Sequence, residues 1–271
     1  MVTRESTETT VGLAKQSQEA GMVMKMRNLD SLKGFELGAQ DGNIGKCKDF
    51  LFDDKVWVIR YLVANTRKWL PGRKVLISPI SVGTVDSLRQ IVNVSLSRDQ
   101  IKNGPALDSD APVSRQYETF FNRYFDWSDY WQGSGMWGEY SYPRSMKIEK
   151  DLLDIEQDPK AGPNLRSTEE VSGYRIHARD DDIGHVEDYL IEEDSWAIRY
   201  LVIDTSNWIP GSKRVIVNPN WVDAVDWADR SLELRMTKEQ VESSPQYDPQ
   251  VGLNRDHEKA VFDHYNYPYY W

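Results

Sequence analysis

The chain has 271 residues, a formal net charge of −10, 28% charged and 39% hydrophobic residues, which suits a soluble globular protein with one large domain or two of about 130 residues. No apolar run reaches the ~18 residues that span a bilayer, the N-terminus lacks the apolar stretch of a secretory signal, and Cys47 is the only cysteine, so an intrachain disulfide and a cysteine-built metal cluster are excluded. The expectation is a cytoplasmic protein with no membrane segment.

The charge is unevenly spread. Gly34 to Trp131 carries 13 Lys and Arg against 12 Asp and Glu, while Gly173 to Trp271 carries 10 against 19. So acidic a second half argues against nucleic-acid binding, where phosphate neutralisation supplies much of the affinity.

In chain order, residues 1–22 are polar and rich in small side chains, and are expected to form a flexible tail. A first repeat is expected over 23–131. Within it, IGKCKDFLFD and VWVIRYLVA read as two strands across a polar break, KVLIS as a third that stops at Pro79, and IVNVSLS as an alternating one. WLPG has the Pro-Gly chemistry of a type II turn. Ser97 caps a single helical turn that Pro105 ends. A helix opening at Asp110 and Pro112 is expected to place Val113, Tyr117, Phe120, Phe121 and Tyr124 on one face. Residues 132–160 read as a linker, and 161–271 as a second repeat.

The repeat is the main signal. GFELGAQDGNIGKCKDFLFDDKVWVIRYLVANTRKWLPG, from Gly34, matches GYRIHARDDDIGHVEDYLIEEDSWAIRYLVIDTSNWIPG, from Gly173, without a gap. One inserted residue later the match resumes and runs to Trp131 and Trp271. Each unit is about 98 residues, a domain length rather than a solenoid repeat. Short strands closed by a helix suggest a small barrel, because closure removes edge strands.

The order GxxL, DxIGxVxDxLFD, WxIRYLV, TxxWLPGRxVLISP resembles the PRC-barrel family in its bacterial tandem form. That family is named for the cytoplasmic domain of the photosynthetic reaction-centre H subunit, and a related barrel occurs in a ribosome-maturation factor. Cys47 stands where a small aliphatic residue is usual, and the second copy has GSKRVIVNPN where the first has GRKVLISPI. The resemblance implies a mainly β fold of two tandem small PRC-type barrels of about six strands, each followed by a short amphipathic helix and an aromatic tail. It implies no catalytic residue and no cofactor.

Residue by residue, the arginine inside each apolar strand comes first. A two-residue hairpin loop at Asp54-Lys55 would set Asp49 opposite Arg60, and a loop at Glu193-Asp194 would set Asp188 opposite Arg199, giving two structural ion pairs. The acidic runs Asp180–Asp182 and Glu192–Asp194 lack the alternation of a calcium loop and read as solvated turns. His257 and His264 lie two helical turns apart, too far to share a metal. Cys47 is explained as a small apolar residue. The aromatic ends are the least ordinary feature: Tyr124, Trp127, Tyr130 and Trp131, then Tyr265, Tyr267, Tyr270 and Trp271. They either pack on their own repeats or form an interaction surface. No nucleophile or phosphate-loop motif is present. The expected role is a non-catalytic scaffold or binding protein with a protein partner or self-association. The alternatives are an accessory protein of a photosynthetic or electron-transfer membrane complex, by family analogy, and a small-ligand sensor binding between the barrels.

Overall fold

The structure is a computed structural model and describes residues 25–66, 69–147, 164–206 and 213–271. The 1–22 tail, the end of the linker and the second Pro-Gly turn, Trp208 to Gly211, lie outside the described residues.

The first repeat contributes β1 (Met26–Asn28), β2 (Glu36–Ala39), β3 (Gly42–Asp53), β4 (Val58–Asn65), β5 (Val75–Ile77), β6 (Val82–Asp86) and β7 (Ile91–Val94), then helices α1 (Arg98–Asn103) and α2 (Arg115–Phe125). The second contributes β8 (Leu165–Ser167), helix α3 (Thr168–Val171), β9 (Arg175–His177), β10 (Asp182–Glu192), β11 (Ile198–Asp204), β12 (Arg214–Val217), β13 (Val222–Asp226) and β14 (Ser231–Leu234), then α4 (Lys238–Glu242) and α5 (Arg255–Tyr265). The fold is mainly β, in two seven-stranded sheets. One runs β5-β4-β3-β2-β7-β6, the other β12-β11-β10-β9-β14-β13. Among the described residues no ladder joins β5 to β6 or β12 to β13, so neither sheet closes by hydrogen bonding.

The seventh strand of each sheet comes from the other repeat. β1 pairs with β10, matching Arg27 to Ile191, and β8 pairs with β3, matching Arg166 to Phe52. The cause is the length of β3 and β10. β2 covers only the first half of β3, and the exposed N–H and C=O groups of Leu51 to Asp53 need a partner. The other repeat supplies it, and the exchange is reciprocal. The hairpin tips also meet: Ile59 N–H donates to Trp196 O at 2.9 Å and Ile198 N–H to Trp57 O at 2.7 Å. The sequence places β1 with the first repeat, yet its backbone completes the second sheet. The two repeats are interlocked rather than strung together.

The hairpins depart from the expected register. The β3–β4 loop has four residues, Asp54 to Trp57, so Asp53 faces Val58 and Asp49 faces Val63, not Arg60. In the second repeat Asp188 faces Val202. Trp57 and Trp196 close these loops at φ 54° and 59°, a left-handed conformation that bulky residues rarely adopt. Arg60 and Arg199 are then the extra residues of β-bulges, between the pairs Leu51–Tyr61 and Phe52–Ile59 in one copy and Leu190–Tyr200 and Ile191–Ile198 in the other. The bulge also breaks strict alternation: Ile59 joins the interior core, while Tyr61 faces the helix side.

Turn chemistry read from the sequence appears as expected elsewhere. Gly72 takes φ 75° in the first Pro-Gly turn. Ser97 and Thr237 cap α1 and α4 in full capping boxes with Gln100 and Gln240. Gly45 and Gly184 allow close approach of neighbouring strands, since a Cβ at either would lie 2.2 Å from the carbonyl oxygen of Asn65 or Asp204.

Helix α2 covers the outer face of its own sheet, where Phe121 packs edge-on against Tyr61 at 5.5 Å. Its rotation differs from expectation. Ser114, not Asp110, is the cap. Val113 and Phe121 are buried, but Phe120 and Tyr124 are exposed, and Glu118 and Asn122 occupy the inward positions. The described part of the segment read as a linker is also packed, with Trp137 and Met146 buried.

Candidate functional site

Behind each α2-type helix lies the same buried polar cluster. In the first repeat, Tyr61 and Tyr130 donate their hydroxyls to Glu118 Oε1 at 3.0 and 2.7 Å, and Arg115 Nη1 donates to Oε2 at 2.9 Å. In the second, Tyr200 and Tyr270 donate to Glu258 Oε1 at 2.5 and 2.6 Å, and Arg255 Nη1 to Oε2 at 2.6 Å. The parts come from three places: the outer face of β4 or β11, the first turn of the helix and the aromatic tail. The cluster fastens all three together.

A carboxylate so placed is satisfied but not well solvated. Burial raises Glu118 to about 7, against the opposing pull of Arg115, the two tyrosine hydroxyls and Arg60. Burial also raises Tyr61 and Tyr130 well above the usual phenol range. Glu118 therefore holds its proton more tightly in the folded chain than in the unfolded chain, where about 4.5 applies. Its stabilising effect is full below pH 4.5 and is lost as pH rises through 7, an effect on the order of 3 kcal/mol at most. Thermal unfolding at pH 5 and 7.5 is expected to show a higher midpoint at pH 5, and Glu118→Gln is expected to flatten that difference. An unchanged difference in the variant would refute the assignment.

The arginines find carboxylates other than those expected. Arg60 Nη2 lies 3.5 Å from Asp53, and Arg199 Nη2 lies 2.5 Å from Glu192. The expected Asp49–Arg60 and Asp188–Arg199 pairs do not form, because the longer loop and the bulge move each arginine out of that register. Asp49 instead accepts from Ser167 Oγ at 2.6 Å, Thr168 Oγ1 at 2.9 Å and Glu169 N–H at 3.0 Å, all on the other repeat. Asp188 accepts from Asn28 Nδ2 at 2.8 Å and Asp30 N–H at 3.0 Å in the same fashion. The repeated carboxylate joins repeats rather than strands.

The guanidinium of Arg60 sits in the corner formed by two rings set edge-to-face, 3.8 Å from the centre of Tyr130 and 4.8 Å from that of Trp137, and its Nη1 donates to Met136 O at 2.6 Å. Arg199 has Tyr270 at 4.9 Å on one face. Of the aromatic ends, Tyr130 and Tyr265 are buried, Trp127, Trp131, Tyr267 and Tyr270 are half-buried, and Tyr124 and Trp271 are exposed. The tails mainly pack on their own repeats, as when Tyr267 stacks on Trp221 at 4.7 Å.

The remaining sequence candidates are occupied by structure. Asp180 accepts from Lys238 N–H and Asp181 pairs with Lys238 at the start of α4. His264 meets Gln240 O at 2.7 Å, where Tyr124 meets Gln100 O in the first repeat. Cys47 is buried, which raises its thiol to about 12. Among the described residues no three acidic, histidine or cysteine side chains could hold a metal, and no helix is long and apolar enough to cross a membrane. A crevice of about 700 Å³ runs along the seam past Arg27, Glu193, Asp188 and Arg214, but Arg27 is paired with Glu193 and Arg214 with Glu187.

Sequence reasoning missed Glu118, Glu258 and Trp137. A signal existed for the first two: Tyr61, Arg115, Glu118 and Tyr130 each meet the same residue type in the second copy, while Phe120, Phe121 and Tyr124 meet Ala260, Val261 and His264.

Fold and site together define a mainly β protein of two interlocked repeats, each with an aromatic tail latched by a buried carboxylate. No protein-family model matches the chain, and no curated protein matches it.

Proposed function

We propose that this chain is a non-catalytic, PRC-barrel-type binding protein of a bacterial cytoplasm, acting on a protein partner through aromatic surface left over once its tails are latched. The barrel reading is supported by the connection between the outer strands. Ile77 and Val82 are five residues apart and can be at most ~17 Å apart, whereas six strands laid flat would separate their edges by ~24 Å. Each sheet must curl towards itself.

The observation that carries the binding reading is how the titratable groups are used. Glu118 is fully buried, with both oxygens engaged by the residues that hold the tail, while apolar rings lie outside: Phe120 and Tyr124 on α2, Tyr269 and Trp271 on the second tail. Exposed aromatic pairs favour partner contact. A photo-crosslinking amino acid placed at Phe120 or Tyr269 is expected to trap one discrete protein in the native cell, and one placed at Lys102 is expected to trap none. Indiscriminate or absent crosslinking at both aromatic positions would defeat this reading.

A further inference from the structure

The two repeats are equivalent in sequence and fold, but one seat is filled in the first repeat and open in the second. In the first, the Met136-Trp137-Gly138 turn rests on the arginine bulge. Arg60 Nη1 donates to Met136 O at 2.6 Å, Trp137 Nε1 donates to Ser195 O on the other repeat's hairpin tip at 2.8 Å, and Gly138 N–H donates to Tyr130 O at 2.7 Å. This turn leaves Ser195 0% exposed and the Arg60 side chain 3% exposed.

The pseudo-twofold counterpart of that seat consists of Arg199, the carbonyl of Val56 and the carbonyl of Tyr270. Among the described residues nothing is seated there. Val56 is 49% exposed where Ser195 is fully covered, and the Arg199 side chain is 22% exposed. Arg199 turns Nε and Nη2 to Glu192 and has Tyr270 4.9 Å away, which leaves its Nη1 for a carbonyl as Arg60 Nη1 takes Met136 O. The seat also continues the seam where the hairpin tips pair, so an occupant would extend an interface already built.

We propose that this open seat binds a tryptophan-bearing peptide segment of another polypeptide, in the geometry that Met136-Trp137-Gly138 adopts on the first repeat. The residue before the tryptophan offers its carbonyl to Arg199, the indole N–H donates to Val56 O while its ring covers the guanidinium, and the following N–H donates to Tyr270 O. Of the segments outside the described residues, 1–24, 67–68 and 148–163 contain no aromatic residue, and 207–212 contains Trp208 followed by Ile209, whereas the seated turn follows its tryptophan with Gly138 at φ 68°, a left-handed conformation that a β-branched residue rarely adopts. A buried indole over a guanidinium is the kind of contact that dominates small interfaces. This inference deepens the binding reading and rests on it.

The test uses the full chain and a synthetic peptide of residues 132–142, QGSGMWGEYSY. Titrated into isotopically labelled protein, the peptide is expected to shift the amides around Val56, Trp57 and Arg199 at saturable, up to millimolar, concentration. Replacing its tryptophan by alanine is expected to weaken binding by more than ~10-fold, and Arg199→Gln in the protein should have a similar effect. The peptide variant leaves the protein untouched, so a folding defect cannot mimic the result. No shift at millimolar peptide, shifts confined to Ser195 and Arg60, or a self-associated chain that blocks the seat would each overturn the proposal. Crosslinking at Phe120, on the first repeat's helix, tells the two failures apart: crosslinking there without a peptide shift overturns the seat alone, and loss of crosslinking overturns the binding reading.

Discussion

Made as two separate polypeptides, residues 1–155 and 156–271, the halves are expected to assemble on co-expression into a tight 1:1 complex, and each alone is expected to be unfolded or aggregated. The reciprocal strand exchange is the reason. Without its partner each half loses the seventh strand of its sheet and exposes unpaired backbone along β3 or β10. It also exposes the seam side chains. Phe52, Val58, Tyr189, Ile191 and Ile198 are all buried, and Phe52 lies 6.2 Å from Tyr189 across the seam. At roughly 1.5–3 kcal/mol for each large apolar side chain, losing that contact removes on the order of 10 kcal/mol, comparable to the whole stability of an ordinary domain. Size-exclusion chromatography with light scattering and circular dichroism checks both statements. A single half that unfolds cooperatively as a monomer would show that the interlock is not needed for folding.

Asp49→Ala and Asp188→Ala are each expected to destabilise the intact chain by about 3 kcal/mol, and together by about 6. Each carboxylate is the fastening point for the first turn of a helical segment belonging to the other repeat. Asp49 accepts three hydrogen bonds from Ser167, Thr168 and Glu169, and its loss leaves the buried Thr168 hydroxyl without that acceptor. Asp188 bonds Asn28 and Asp30, and Asn28 Oδ1 in turn accepts from Tyr247 at 2.6 Å, so that loss spreads into the second repeat. Asn at either position keeps the shape and one acceptor and is expected to recover part of the loss. Denaturant midpoints at constant slope measure the effect. Single variants within 1 kcal/mol of the parent would mean that the exchanged segments are held by backbone pairing alone.

Much of this molecule was legible in the chain itself. The gapless match of two 39-residue stretches shows that one fold is built twice. Apolar runs of strand length give a mainly β class. Capping residues at Ser97 and Thr237, and the proline and glycine of the first turn, fix local structure because their chemistry acts within a few residues. The helix with its apolar stripe predicts a cover for the sheet. Paired identities at Tyr61, Arg115, Glu118 and Tyr130 also contain the latch, although no local rule says that a helix buries a glutamate.

Other features were decided only by the assembled structure, each for a nonlocal reason. Loop length and a left-handed tryptophan set the hairpin register, and a shift of a few residues reassigned Asp49 from Arg60 to another repeat. Whether Glu118 can be buried depends on two tyrosines and an arginine arriving from separate elements, because an unpaired carboxylate there would be expelled. The exchange of β1 and β8 depends on which strand edges remain open after each repeat has folded. Sequence determines that those three-residue segments can be strands, but only the competition of edges in space decides which sheet they complete.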